Sequence, residues 1–147
     1  IPQITIAFLK TTNRLWSIFM LEIIVVGAGG CIGSVLRYLV TKTFQHNFPA
    51  TQFPYGVMVA NLLGCLFIGL LSGLSIEKIP IAPYLRLFFF VGVLGGFTTF
   101  SSFSLEAYNM LTTNDFSIIF LALLHIIAHV SFGILAVYLG LIIGKSF

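Results

Sequence analysis

The polar chemistry of this chain is concentrated in one stretch. Gly92-Val93-Leu94-Gly95-Gly96-Phe97-Thr98-Thr99-Phe100-Ser101-Ser102-Phe103-Ser104 sets five hydroxyl residues within seven positions, just after two adjacent glycines. Gly-Gly weakens helix continuity, and Thr and Ser side chains can satisfy the backbone groups that a break releases. Carbonyls freed at such a break are natural ligands for a small hard cation. Phe100 and Phe103 share a helix face at i, i+3. Phenylalanine normally just packs, but its ring edge is electropositive and can face an anion without a formal positive charge.

Three further groups stand out. Asn61 lies inside the apolar run Val57-Met58-Val59-Ala60-Asn61-Leu62-Leu63-Gly64. An amide there must bond a neighbouring helix or line a polar path, and both readings stay open. Arg37 sits near the end of another apolar run, where snorkelling to headgroups and a functional role are equally consistent with its position. His125 and His129 are spaced i, i+4. Two histidines without a carboxylate make a weak metal site, so pore lining or interhelical hydrogen bonds are the better account. If they face a pore, conduction depends on pH.

Negative findings narrow the class. Ile23-Ile24-Val25-Val26-Gly27-Ala28-Gly29 imitates a dinucleotide-binding strand and loop, but the third glycine of the pattern falls at Ile32, and no acidic residue follows at the ribose position. No Ser-His-Asp set and no paired carboxylate within an apolar run occurs, so an enzyme is not expected. A net charge of +3, scattered along the chain, makes no nucleic-acid footprint. Cys31 and Cys65 lie in apolar runs and read as buried free thiols.

The elements that must position these groups follow from composition. Of 147 residues, 59% are apolar and 7% charged, with a mean hydropathy of +1.10. A soluble domain of this size could not cover its surface with so few charges, so lipid is the solvent for most of it. At about 20 residues per crossing, four helices with short loops fit and six do not. The apolar runs are continuous, which argues against a barrel. The spans read as Leu21 to Tyr38, Pro54 to Ser75, a third between Arg86 and Glu106, and a fourth between Asp115 and Lys145. A turn is expected over Glu77-Lys78-Ile79-Pro80. Glycine pairs at i, i+4 recur in every span (Gly29/Gly33, Gly69/Gly73, Gly92/Gly96, Gly140/Gly144), and such pairs let helices approach closely. Residues 1–19 read as an N-terminal extension or an interfacial helix, preceding a four-helix membrane domain over residues 20–147. Lys10, Arg14, Lys78, Lys145 and Arg86 fall on one side and Lys42 on the other, so both termini are expected in the cytoplasm.

Three motifs in order resemble one family closely. They are Gly29-Gly30-Cys31-Ile32-Gly33-Ser34-Val35-Leu36-Arg37-Tyr38, then Asn61-Leu62-Leu63-Gly64-Cys65, then Gly95-Gly96-Phe97-Thr98-Thr99-Phe100-Ser101-Ser102-Phe103. Together they resemble the small bacterial fluoride channels of the Fluc/CrcB type, over about residues 20 to 147. The resemblance implies an all-α membrane protein of four transmembrane helices with a broken third helix, assembled as an antiparallel, dual-topology homodimer in the bacterial inner (plasma) membrane. It implies passive fluoride export through two pores at the dimer interface. Phe100, Phe103, Asn61, Ser101, Ser102 and the vestibule cation Arg37 are the implied pore residues. His125 and His129 stand where the family often has Tyr or Asn, then Ser. A structural Na+ at the dimer centre is implied on the backbone carbonyls of Gly95 and Thr98. Partners are then fluoride, lipid and a second copy of the chain, with no nucleic acid.

Other classes fit less well. A small proton-coupled dimeric exporter of cations or drugs needs a carboxylate deep in a helix, whereas Glu22 is read at the mouth of its span and Glu106 at the end of the third. A non-conducting packing subunit would explain the glycines but leaves the Thr/Ser/Phe cluster without a reason.

Overall fold

The computed structural model describes residues 2–49, 53–77 and 82–147, with side chains over 14–49, 53–75 and 82–147. Lys78 and the turn expected around it lie outside the described residues. The chain folds into α1 (Pro2–Asn47), α2 (Tyr55–Glu77), a rod made of α3 (Pro83–Arg86), a π-helical stretch (Leu87–Leu94) and α4 (Gly95–Phe97), then α5 (Phe100–Leu111) and α6 (Phe116–Ser146). No strand occurs among the described residues.

Among the described residues, four stretches are long and apolar enough to cross a membrane: Arg14–Asn47, Tyr55–Ser75, Pro83–Leu111 and Phe116–Ser146. All four expected spans are present; the first and third run well past their expected limits, whereas the second and fourth agree to within one or two residues. A bilayer thickness sets only the minimum length of a crossing helix, so apolar content alone does not locate the ends. Helix α1 is the extreme case: it continues without interruption from Pro2, about 70 Å at 1.5 Å per residue.

The glycine pairs decide which helices touch. A Cβ on Gly33 would strike the Val93 carbonyl, and one on Gly92 would lie 2.9 Å from Gly29 Cα. Gly29/Gly33 of α1 and Gly92/Gly96 of the rod therefore interlock backbone to backbone. In the same way Gly69/Gly73 of α2 meet Gly140/Gly144 of α6: Cβ atoms on Gly69 and Gly140 would strike the carbonyls of Val137 and Leu66. Close approach multiplies weak dispersion contacts that lipid cannot replace. Two helix pairs result, α1 with the rod and α2 with α6, and α5 lies against α6.

The buried apolar side chains are few and mostly central: Val57, Ala60, Leu94, Phe97, Phe103, Ala107, Met110 and Ala122. Large apolar side chains from every span face outward, as lipid permits. Cys31 and Cys65 are both free; Cys65 is half-buried, but Cys31 is exposed on the single chain. Position within an apolar run does not bury a residue when the outer face of the helix is also apolar.

Candidate functional site: a broken helix beside a polar cleft

The third crossing breaks at Thr98–Thr99 and not at the glycines. Gly95 and Gly96 are helical, whereas Thr98 (φ −86°, ψ 155°) and Thr99 (φ −151°, ψ 113°) are extended. Gly96 is used instead to bring the rod against Gly30 of α1. Both threonines occupy ordinary β-region backbone, so the break needs no glycine, only partners for the backbone groups it frees.

Those partners come from side chains. Thr99 caps α5, its Oγ1 accepting from Ser102 N–H at 3.2 Å, an N-cap bond to the third residue of the new helix. The same hydroxyl donates to Ser102 Oγ at 3.1 Å and lies 3.2 Å from Ser101 Oγ. Across the helix pair, Asn61 Oδ1 accepts from Thr99 N–H at 2.7 Å, and Asn61 Nδ2 donates to the Thr99 carbonyl at 3.0 Å. Gly64, one turn further along α2, leaves the space that Thr98 Cγ2 fills.

This bonding also frees backbone carbonyls at the break, those of Gly95 and Thr98 among them. In an uninterrupted helix Thr99 N–H would bond the Gly95 carbonyl and Ser102 N–H the Thr98 carbonyl. Here the first N–H goes to Asn61 Oδ1 and the second to Thr99 Oγ1. The carbonyls of Gly95 and Thr98 have thus lost their helical donors. Oxygen ligands of that kind fit a hard cation.

A cavity of about 380 Å³ opens beside the break, lined by Asn61, Gly95, Thr98, Thr99, Phe100, Phe103 and His129 among others. His129 Nε2 lies 2.9 Å from Asn61 Nδ2. Phe103 packs against the His129 ring at 4.4 Å between centroids and against Phe100 at 5.7 Å. Phe103 is buried, whereas Phe100 is 79% exposed on the single chain. A second cavity, of about 410 Å³, is lined by Ser34, Arg37, Ser102 and Glu106 among others. Ser102 faces this second cavity while its hydroxyl bonds Thr99, which lines the first.

His125 and His129 differ in placement. His129 reaches the cleft; His125 is fully buried, with the edge of Phe53 at 5.2 Å, Phe103 at 5.3 Å and His129 at 4.8 Å. Neither nitrogen of His125 has a partner among the described residues. Ser101 is exposed and touches the site only through Thr99.

Two features escaped the sequence reading. Thr99 is the centre of the hydrogen-bond cluster, and its signal was an N-cap threonine three residues before Ser102. Glu106 does not end the third crossing, because α5 continues to Leu111. Its Oε2 is buried without a partner among the described residues, and it borders the cavity that holds Arg37.

A break in a crossing helix is tolerated where it is buried in protein or lines a cavity, and this one does both. Fold and site together define a multi-pass membrane protein with a broken crossing helix and cavities beside the break. Residues 24–141 match the family described as "CrcB-like protein, Camphor Resistance (CrcB)", and the chain belongs to that family. Its relatives include the "Fluoride-specific ion channel FluC" of Flavobacterium psychrophilum, 42% identical over 86% of this chain and 99% of the relative. Proteins of the same name from Rhizobium meliloti (42% identical, 86% and 98% covered) and Thermosipho melanesiensis (34%, 86% and 98%) are also similar.

Proposed function

We propose that the chain is a fluoride-selective channel that lets fluoride leave the cell passively, working as an antiparallel homodimer in the inner membrane. One observation carries the reading beyond the names of the relatives. Uncharged donors and ring edges (His129, Ser102, Phe100, Phe103) line the two cavities beside the break, which the Thr99–Ser102 hydroxyl bond links. Fluoride is small and strongly hydrated, so entry requires close donors that replace water, and release requires that no fixed charge hold it. Arg37 stands at the far cavity, where a cation concentrates anions without trapping them in the narrow part.

The dimer is supported by the open side of the site. Phe100, a residue of the proposed path, is largely exposed on one chain, and a second copy over it would complete the wall. At the centre of such a dimer the carbonyls of Gly95 and Thr98 from both copies would hold a structural sodium ion. The ion would supply fixed positive charge that ties the two breaks together.

The exporter reading is not favoured. Glu106 is an acid inside a crossing helix, but the relatives are named as channels. Purified protein in liposomes, followed with a fluoride electrode under a gradient, tests the reading. Fluoride should leave quickly and chloride should not. Vesicles that retain fluoride as tightly as chloride would overturn it.

A further inference from the structure

The amide of Asn61 is fully committed within the chain. Its Oδ1 accepts from Thr99 N–H at 2.7 Å. Its Nδ2 lies 3.0 Å from the Thr99 carbonyl and 2.9 Å from His129 Nε2. A backbone N–H can only donate and a carbonyl can only accept, so the two bonds to Thr99 fix which end of the amide is which. One Nδ2 hydrogen goes to Thr99 and the other to His129. His129 Nε2 must then offer a lone pair, and the neutral ring carries its proton on Nδ1. That Nδ1 is buried and has no partner among the described residues, while the residue lines the cleft. A buried donor left unpaired costs free energy that an accepting ligand removes.

We infer that Asn61 is a positioning residue whose amide locks His129 in the Nδ1–H tautomer, and that this N–H is the donor a small permeating anion meets in the cleft. Asn61 has no hydrogen left to give the ion. Its two donations pin the break at Thr99 and aim the imidazole. The inference rests on the channel reading for the identity of the anion, but the tautomer stands independently of it.

The full-length protein, labelled with 15N-histidine and reconstituted in bilayers, provides the test. Solid-state NMR should give His129 a protonated Nδ1 and an accepting Nε2. Exchanging sodium chloride for sodium fluoride should shift the Nδ1 resonance and leave Nε2 in place. An Nε2–H tautomer, or an Nδ1 signal indifferent to fluoride in vesicles that still release it, overturns the inference. Flux variants separate aim from mere packing. His129→Leu should lower fluoride release about tenfold, the scale of one lost hydrogen bond to an ion. His129→Asn, whose amide nitrogen falls near the Nδ1 position, should restore several-fold of that loss. His129→Gln, whose amide falls near Nε2, should stay close to the Leu variant. Equal flux from the Asn and Gln variants also overturns it. Wild-type vesicles that hold fluoride would instead refute the channel reading, leaving the tautomer to the resonance alone.

Discussion

Asn61 grips Thr99 by both of its backbone groups, accepting from the N–H at 2.7 Å and donating to the carbonyl at 3.0 Å. One side chain on α2 thereby replaces the bond that the Thr99 N–H would have made in a continuous helix, and adds a second donor to the carbonyl that opens α5. The break is consequently a cross-helix structure, and its stability depends on a residue 38 positions away.

Replacing Asn61 with Leu should therefore be costly. It strands the N–H of Thr99 away from water and removes one of the two donors to its carbonyl, a loss of about 2 kcal/mol. The thermal midpoint in detergent should fall, and fluoride release from vesicles should drop by at least about tenfold. A variant that unfolds at the wild-type temperature would show that water or another side chain satisfies Thr99.

Phe100→Ile should separate function from folding. The ring is 79% exposed on the single chain, so its loss removes little buried area within the chain and should shift stability by less than about 1 kcal/mol. Flux should fall about tenfold or more, because the ring edge facing the path is gone. Unchanged flux would remove Phe100 from the route.

The glycine contacts predict opposite outcomes for one kind of substitution. Gly140→Ala drives a methyl into the Leu66 carbonyl, so α2 and α6 must separate, and dispersion contacts along the whole pair weaken. Gly27→Ala meets nothing within 4 Å and should be neutral or stabilising by up to about 1 kcal/mol through helix propensity. Melting curves of both variants check this directly.

Sodium should stabilise the proposed dimer by mass action. An ion bound only by the folded dimer adds about 2.7 kcal/mol at one hundred times its dissociation constant. Exchanging sodium for a bulky organic cation at constant ionic strength should lower the melting temperature of the purified protein. A melting temperature indifferent to the exchange would remove the ion from the site.

Acid should act on His129. A proton on Nε2 destroys the lone pair that Asn61 Nδ2 uses, so the charged ring turns away from Asn61 and the aimed donor is lost. The other titratable groups around it are His125 on the same helix, Cys65 from α2 at the cleft, and Glu106 from α5 beyond Phe103. Fluoride release should hold level from pH 8 to about 6 and fall only as pH is lowered toward 4. The fall should be much smaller in His129→Asn. A flat wild-type profile over this window counts against the role of the imidazole.

The sequence by itself determined the solvent, the number of crossings and the contact faces. Scarce charge leaves only lipid to cover the surface, and glycines spaced one turn apart can only mark where backbones meet. It also named the polar stretch correctly, since hydroxyl residues at mid-span must bond something. Tertiary structure alone decided where the helix breaks. Local propensity points to Gly95-Gly96, yet those glycines stay helical against α1, and the chain opens at Thr98–Thr99 because Asn61 and Gly64 of α2 supply the partner and the room. It alone separated two histidines that spacing made equivalent, enclosing His125 among Phe53 and Phe103 and turning His129 toward the cleft. Breaks and orphaned donors are settled by long-range partners, and the spacing of residues along one helix carries no record of what the next helix brings to them.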